Sequence, residues 1–67
     1  MTISVNGDER AVPAGTTVAA IVRALGADAR RGVAVALDGE VVPRSAWEET
    51  HVREGQAVEV LRAVQGG

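Results

Sequence analysis

Side chains able to do chemistry are scarce in these 67 residues. The chain has no cysteine and one histidine, His51, so neither a Cys–His nucleophile pair nor a multi-histidine metal site can be assembled. Ser4 falls in a strand-like stretch and Ser45 in a short turn before Trp47, and neither has a glycine-rich elbow around it. Glu48 and Glu49 are adjacent, and adjacent helical residues do not face each other, so they read as a solvated face. His51, between Thr50 and Val52, reads as a solvated loop residue. A chain of this size also leaves little volume for a substrate pocket of the usual few hundred cubic ångströms. No catalytic or metal-binding residue is expected.

The unusual feature is the end, Gln65-Gly66-Gly67. At an average glycine usage of about 7%, two final glycines arise by chance in roughly one chain in two hundred, and at this chain's richer glycine content in about one in seventy. The context adds weight, because a valine-rich strand pattern leads straight into the pair. Without Cβ atoms, Gly66 and Gly67 accept any φ and let the backbone pass close to a nucleotide. Three residues beyond Val64 reach about 10 Å at roughly 3.3 Å each, enough to leave a domain surface. An α-carboxylate delivered this way can enter a narrow enzyme site and attack the α-phosphate of ATP. The resulting acyl adenylate is an electrophile from which a sulfur nucleophile displaces AMP, leaving a thiocarboxylate. Such chemistry asks nothing of the other side chains.

The elements that position this end can be read from periodicity. Thr2-Ile3-Ser4-Val5 alternates polar and apolar, as a half-buried strand does. Asn6-Gly7 is a hairpin signal, since both central residues of a type I′ turn need positive φ, and a returning strand is expected over 9–12, ended by Pro13. Thr16 or Thr17 can cap a helix whose apolar stripe is Val18, Ile21, Val22 and Leu25, with Gly26 at its end and Arg23 complementing the dipole. A buried strand is expected over 33–37, a second hairpin at Asp38-Gly39, and a short strand over 40–42 closed by Pro43. Residues 44–49 have room for about one helical turn, carrying Trp47 as a plug beneath the sheet. Glu54-Gly55 marks a turn and 57–64 the last strand. The order is β-β-α-β-β-β, predicting an α+β fold with one helix on one face of a mixed four- to five-stranded sheet, the β-grasp arrangement. No linker or repeat interrupts it, so residues 1–67 read as one domain with an extended tail over 65–67.

Composition narrows the classes further. The chain is 46% hydrophobic with one aromatic residue, and its seven arginines and nine acidic residues give a net charge of −2. Without a basic stripe or a stacking platform, no nucleic-acid partner is expected. No apolar stretch is long enough to span a bilayer and no signal-peptide pattern opens the chain, so a soluble cytoplasmic protein is expected, with no membrane partner. Lysine is absent, which fits a bias toward arginine codons.

An ordered set of motifs resembles the sulfur carrier proteins of thiamine (thiazole) biosynthesis. It comprises Asn6-Gly7, Gly15-Thr16-Thr17-Val18, Leu25-Gly26, the run from Val35 through Asp38-Gly39 to Pro43-Arg44, then Trp47, Gly55 and Gly66-Gly67. Each motif alone is weak; together they cover the chain. The resemblance implies a ubiquitin-like β-grasp fold and an E1-like adenylating enzyme that activates Gly67 with ATP and magnesium. It implies a sulfur donor such as a cysteine desulfurase, and thiazole synthase as the acceptor. ATP then belongs to the partner enzyme, and this chain binds no cofactor. One departure is Glu54-Gly55-Gln56, where the family often has an acidic residue, Gly and Asp.

If the third and last strands are neighbours, as the resemblance implies, Val58, Val60, Val35 and Leu37 face the helix. Ala34, Ala36, Leu61 and Ala63 then form an apolar patch on the opposite face beside the tail, where a partner can dock. The small subunit of molybdopterin synthase has the same fold and tail but tends to be longer. A carrier for another sulfur pathway, and a β-grasp interaction module with an incidental Gly-Gly end, are the other readings.

Overall fold

The computed structural model describes residues 1–26 and 32–62, and two turn dipeptides organise it. Asn6 and Gly7 have φ of 51° and 87°, and Asp38 and Gly39 have φ of 50° and 83°, the paired positive values of type I′ turns. The first joins β1 (Thr2–Val5) to β2 (Asp8–Ala11); the second joins β3 (Val33–Leu37) to β4 (Glu40–Val42). Into the gap between these hairpins runs β5 (Ala57–Arg62), parallel to β1 and antiparallel to β3. The sheet order is β2-β1-β5-β3-β4. With the helix α1 (Val18–Ala24) packed on it, this mixed five-stranded sheet is a β-grasp fold.

Alternation along the strands builds the core. Ile3 and Val5 of β1, Val35 of β3, and Val58 and Val60 of β5 are buried, together with Val18, Ala19, Ile21 and Val22 of the helix. Leu37 and Leu25 are half-buried against this cluster. Trp47 plugs the same core, and its indole Nε1 donates to the Val42 carbonyl at 2.9 Å. The segment carrying it contributes a 3₁₀ turn, Arg44–Ala46.

Three of the helix's free N-terminal N–H groups find acceptors. Thr17 Oγ1 accepts from Ala20 at 3.1 Å as the N-cap. The Thr50 carbonyl accepts from Val18 at 2.9 Å, and the Trp47 carbonyl from Ala19 at 3.1 Å. The segment around Trp47 thus fills the core and also terminates the helix. At the other end the helix stops at Ala24, Leu25 takes the cap, and Gly26 follows at φ 73°. Arg23 in the last turn pairs with Glu48 at 3.4 Å on the exposed surface.

Two expectations shift and a third is only partly described. Strand β2 spans Asp8–Ala11, one residue earlier than predicted, because the two-residue turn delivers Asp8 directly opposite Val5. His51 is exposed, yet it is not in a free loop: its backbone forms an antiparallel bridge with Thr17. The last strand is described to Arg62, and positions 63 and 64 of the predicted span lie outside the described residues.

Asp38 ties the second hairpin to the start of β5. Its Oδ1 accepts from the Ala57 N–H at 2.9 Å and its Oδ2 from Gln56 Nε2 at 3.0 Å. The Ala57 backbone donor, and then the Gln56 amide, hold its carboxyl below the ordinary aspartate value. Gln56 also accepts from the Arg53 N–H at 2.7 Å. Its amide therefore serves both roles at the departure from the family's acidic-Gly-Asp turn. An aspartate there would set a second carboxylate against Asp38.

A depressed folded-state value means that the unfolded chain binds the proton more readily. The Asp38 contribution is fully present above the unfolded value of about 3.9 and is lost as pH falls through the lower folded value. Asp38→Asn keeps a residue tolerant of positive φ and removes the titration. The urea midpoint of the wild type is expected to fall more steeply below about pH 4 than that of Asp38→Asn. Parallel acid limbs would show that the contact does not couple to folding.

Candidate functional site

One face of the sheet carries the helix; the other face is open. Pairing fixes which residues share it. Ala34 lies opposite Leu61, Ala36 opposite Glu59 on one side and opposite Val41 on the other. Ala34 is exposed, Ala36 half-buried, and Leu61 and Val41 are 65% and 73% exposed. They are the large apolar residues exposed among the described positions. The structure thus brings together Ala34, Ala36 and Leu61, three of the four predicted patch residues. Ala63, Gln65, Gly66 and Gly67 lie outside the described residues.

Sequence reasoning missed Val41. Its signal was available: Glu40-Val41-Val42 pairs with β3, and Val42 is the half-buried member packed on the core, so alternation turns Val41 outward.

It also missed the second role of Asn6. Strand β1 ends at Val5, opposite Val58, while β5 continues. The Asn6 N–H donates to the Val58 carbonyl at 2.8 Å. Its side chain then reaches Val60, with Oδ1 accepting from the N–H at 2.8 Å and Nδ2 donating to the carbonyl at 3.2 Å. The carboxamide stands where the next peptide group of β1 would be. Asn6 was legible only as a turn residue, because this contact spans 54 positions.

Among the described residues no cluster of His, Cys, Asp or Glu could hold a metal ion, and no helix is long and apolar enough to cross a membrane. A recess of about 320 Å³ does exist, contrary to the expectation from chain length, at the small end of the usual range. It lies between β2 and the end of α1, lined by Val5, Arg10, Val12, Ile21 and Leu25. Among the described residues Arg10 is the ionisable group that lines it, and no acid–base pair of described residues converges there.

Comparison with known proteins places this geometry. Residues 3–67 match the ThiS family. The chain belongs to the ThiS family. A crystal structure of a thiamine biosynthesis protein (ThiS) from Geobacter metallireducens superposes with a TM-score of 0.82 at 36% identity, covering all of both chains. A solution structure of a thiamine biosynthesis protein from the same organism gives 0.79 at 36% identity, covering all of this chain and 88% of that one. All 67 residues also align at 37% identity with a thiazole synthase of Paramagnetospirillum magneticum, of which they span 20% of the length.

Proposed function

We propose that this ThiS-family chain is a sulfur carrier for thiazole formation in thiamine biosynthesis, working through a free α-carboxylate on Gly67. The family match carries the reading, since it runs to residue 67 and takes in Gly66 and Gly67. An E1-like enzyme with ATP and magnesium lets a carboxylate oxygen attack the α-phosphorus, and pyrophosphate leaves. Sulfide, or the outer sulfur of a persulfide carried by a protein such as a cysteine desulfurase, adds to the acyl carbon as AMP departs; on the persulfide route a thiol then reduces the S–S bond, releasing the donor thiol and becoming a disulfide with a second thiol. The thiocarboxylate is anionic at neutral pH and nucleophilic through sulfur. Thiazole synthase is the acceptor in this reading; the alignment with a longer protein of that name supports the pairing. The chain supplies no catalytic group, binds no cofactor itself, and acts as one domain with a tail over 65–67.

The test is the intact mass after incubation with an adenylating enzyme, ATP, magnesium and sulfide. One oxygen exchanged for sulfur at the C-terminus is the expected product. An unchanged mass with several cognate enzymes would favour a β-grasp interaction module.

Docking is assigned to the open face: Ala34, Ala36, Leu61 and Ala63, extended by Val41. A desolvated anchor residue contributes about 2 kcal/mol or more to an interface, which is roughly a 30-fold effect. Leu61→Asp is therefore expected to raise the KM for loading by about that factor. Because Leu61 is 65% exposed, stability should change by no more than about 1 kcal/mol, the span of strand propensities. An unchanged KM in the folded variant would remove the patch from the proposal.

A further inference from the structure

We infer that Asn6 is a positioning residue for the carrier tail, holding the exit of β5 in register so that the segment leading to Gly67 starts from a fixed strand. The inference rests on the carrier reading above. Val60 is a buried residue whose N–H and carbonyl both point to the side that β1 has already left. On the other side β3 pairs with β5 as far as Arg62, opposite Val33. The Asn6 carboxamide is what holds β5 at Val60 from the side opposite β3.

Three requirements meet at this position. The side chain must offer a donor and an acceptor at once, which excludes aspartate as an equal replacement. It must be short enough to pair from a turn, and its backbone must accept a φ of 51°, which asparagine tolerates and most residues do not. Leu61, on the docking face, and Arg62, whose guanidinium donates to the Leu25 carbonyl at 3.3 Å, directly follow the clamped residue. Loss of the clamp leaves the docking anchor and the root of the tail held by β3 alone, so a docked carrier presents its carboxylate over a wider range of positions. Misplacement by about 1 Å can cost 100-fold in a positioned reaction.

The experiment compares wild type, Asn6→Gly, Asn6→Asp and a stability control, Val22→Ala, a buried helix residue that takes no part in the Asn6–Val60 pairing. Asn6→Gly keeps the positive φ and removes the pairing. All four are loaded by an adenylating enzyme with ATP, magnesium and sulfide at a temperature where each is folded, and Val60 amide exchange is followed by NMR. Expected are a kcat about tenfold lower for Asn6→Gly, faster exchange at Val60, and an intermediate position for Asn6→Asp, which retains the acceptor for the Val60 N–H. Val22→Ala should load at the wild-type rate. Wild-type turnover in folded Asn6→Gly overturns the inference, as does an equal loss in Val22→Ala, which would mark a purely structural role. A wild-type chain that takes up no sulfur overturns the carrier reading and this inference with it.

Discussion

A chain ending at Gly66 is expected to accept no measurable sulfur, with loading reduced by more than about 1,000-fold relative to the full chain. Removing Gly67 leaves a glycine carboxylate of the same chemistry, but draws it back by one residue, roughly 3.3–3.6 Å of extended chain. In-line attack on a phosphorus atom requires the reacting atoms at about 3–3.5 Å, and a shift of a whole residue cannot be absorbed while the sheet face stays docked. The docking residues all precede Gln65 and are retained, so binding to the adenylating enzyme should survive. The truncated chain should compete with the full chain at near wild-type affinity while remaining unmodified. Gly67→Ala separates length from shape: it restores the reach, adds one Cβ where the backbone passes the nucleotide, and should load at an intermediate rate. Intact mass and competition assays read both quantities. Equal loading of the truncated and full chains would contradict a carrier and fit a binding module, which has no use for the last residue.

Local chemistry made most of the fold legible. The two type I′ turns followed from Asn6-Gly7 and Asp38-Gly39, and the spans of β3 and β4 from valine-rich runs between turn residues. The inward set Val35, Val58 and Val60 followed from a period of two. What period and propensity do not contain is pairing between distant segments. The pairing of β5 with β3 was an expectation from resemblance alone, its parallel pairing with β1 was not read, and the capping of α1 by the Trp47 and Thr50 carbonyls joins residues about thirty apart in the chain. The side-chain work of Asn6 and Asp38 stayed hidden for the same reason. Each was explained completely by its own turn, and nothing local pointed to Val60 or Ala57. The open face was legible as far as Leu61, Ala34 and Ala36, and Val41 was within reach of the same alternation. Gly66 and Gly67 were identified by residue type, and their position lies outside the described residues.

Trp47→Ala is expected to remove about 3–5 kcal/mol of folding stability, a third or more of the total. A 67-residue domain has a total stability of about 3–10 kcal/mol at typical values per residue. Truncating a buried tryptophan costs about 3–5 kcal/mol when the surrounding structure cannot collapse into the space. Collapse is unfavourable here because the buried cluster that Trp47 belongs to is otherwise valine, isoleucine and alanine, stiff or short side chains with little reach. The side chain also supplies the indole donor to Val42, so the end of β4 loses a fixed partner. Its own backbone carbonyl caps Ala19, which makes any shift of the 44–47 segment a loss at the start of the helix as well. Trp47→Phe tests the division between volume and hydrogen bond. It keeps most of the packing, leaves the Val42 carbonyl without its donor, and should cost about 1–3 kcal/mol. Urea denaturation followed by far-ultraviolet circular dichroism orders the three proteins, since the fluorescence of the sole tryptophan is lost in both variants. If Trp47→Ala retained stability within about 1.5 kcal/mol of wild type, the aliphatic core would be self-sufficient and Trp47 would be a cover rather than a plug.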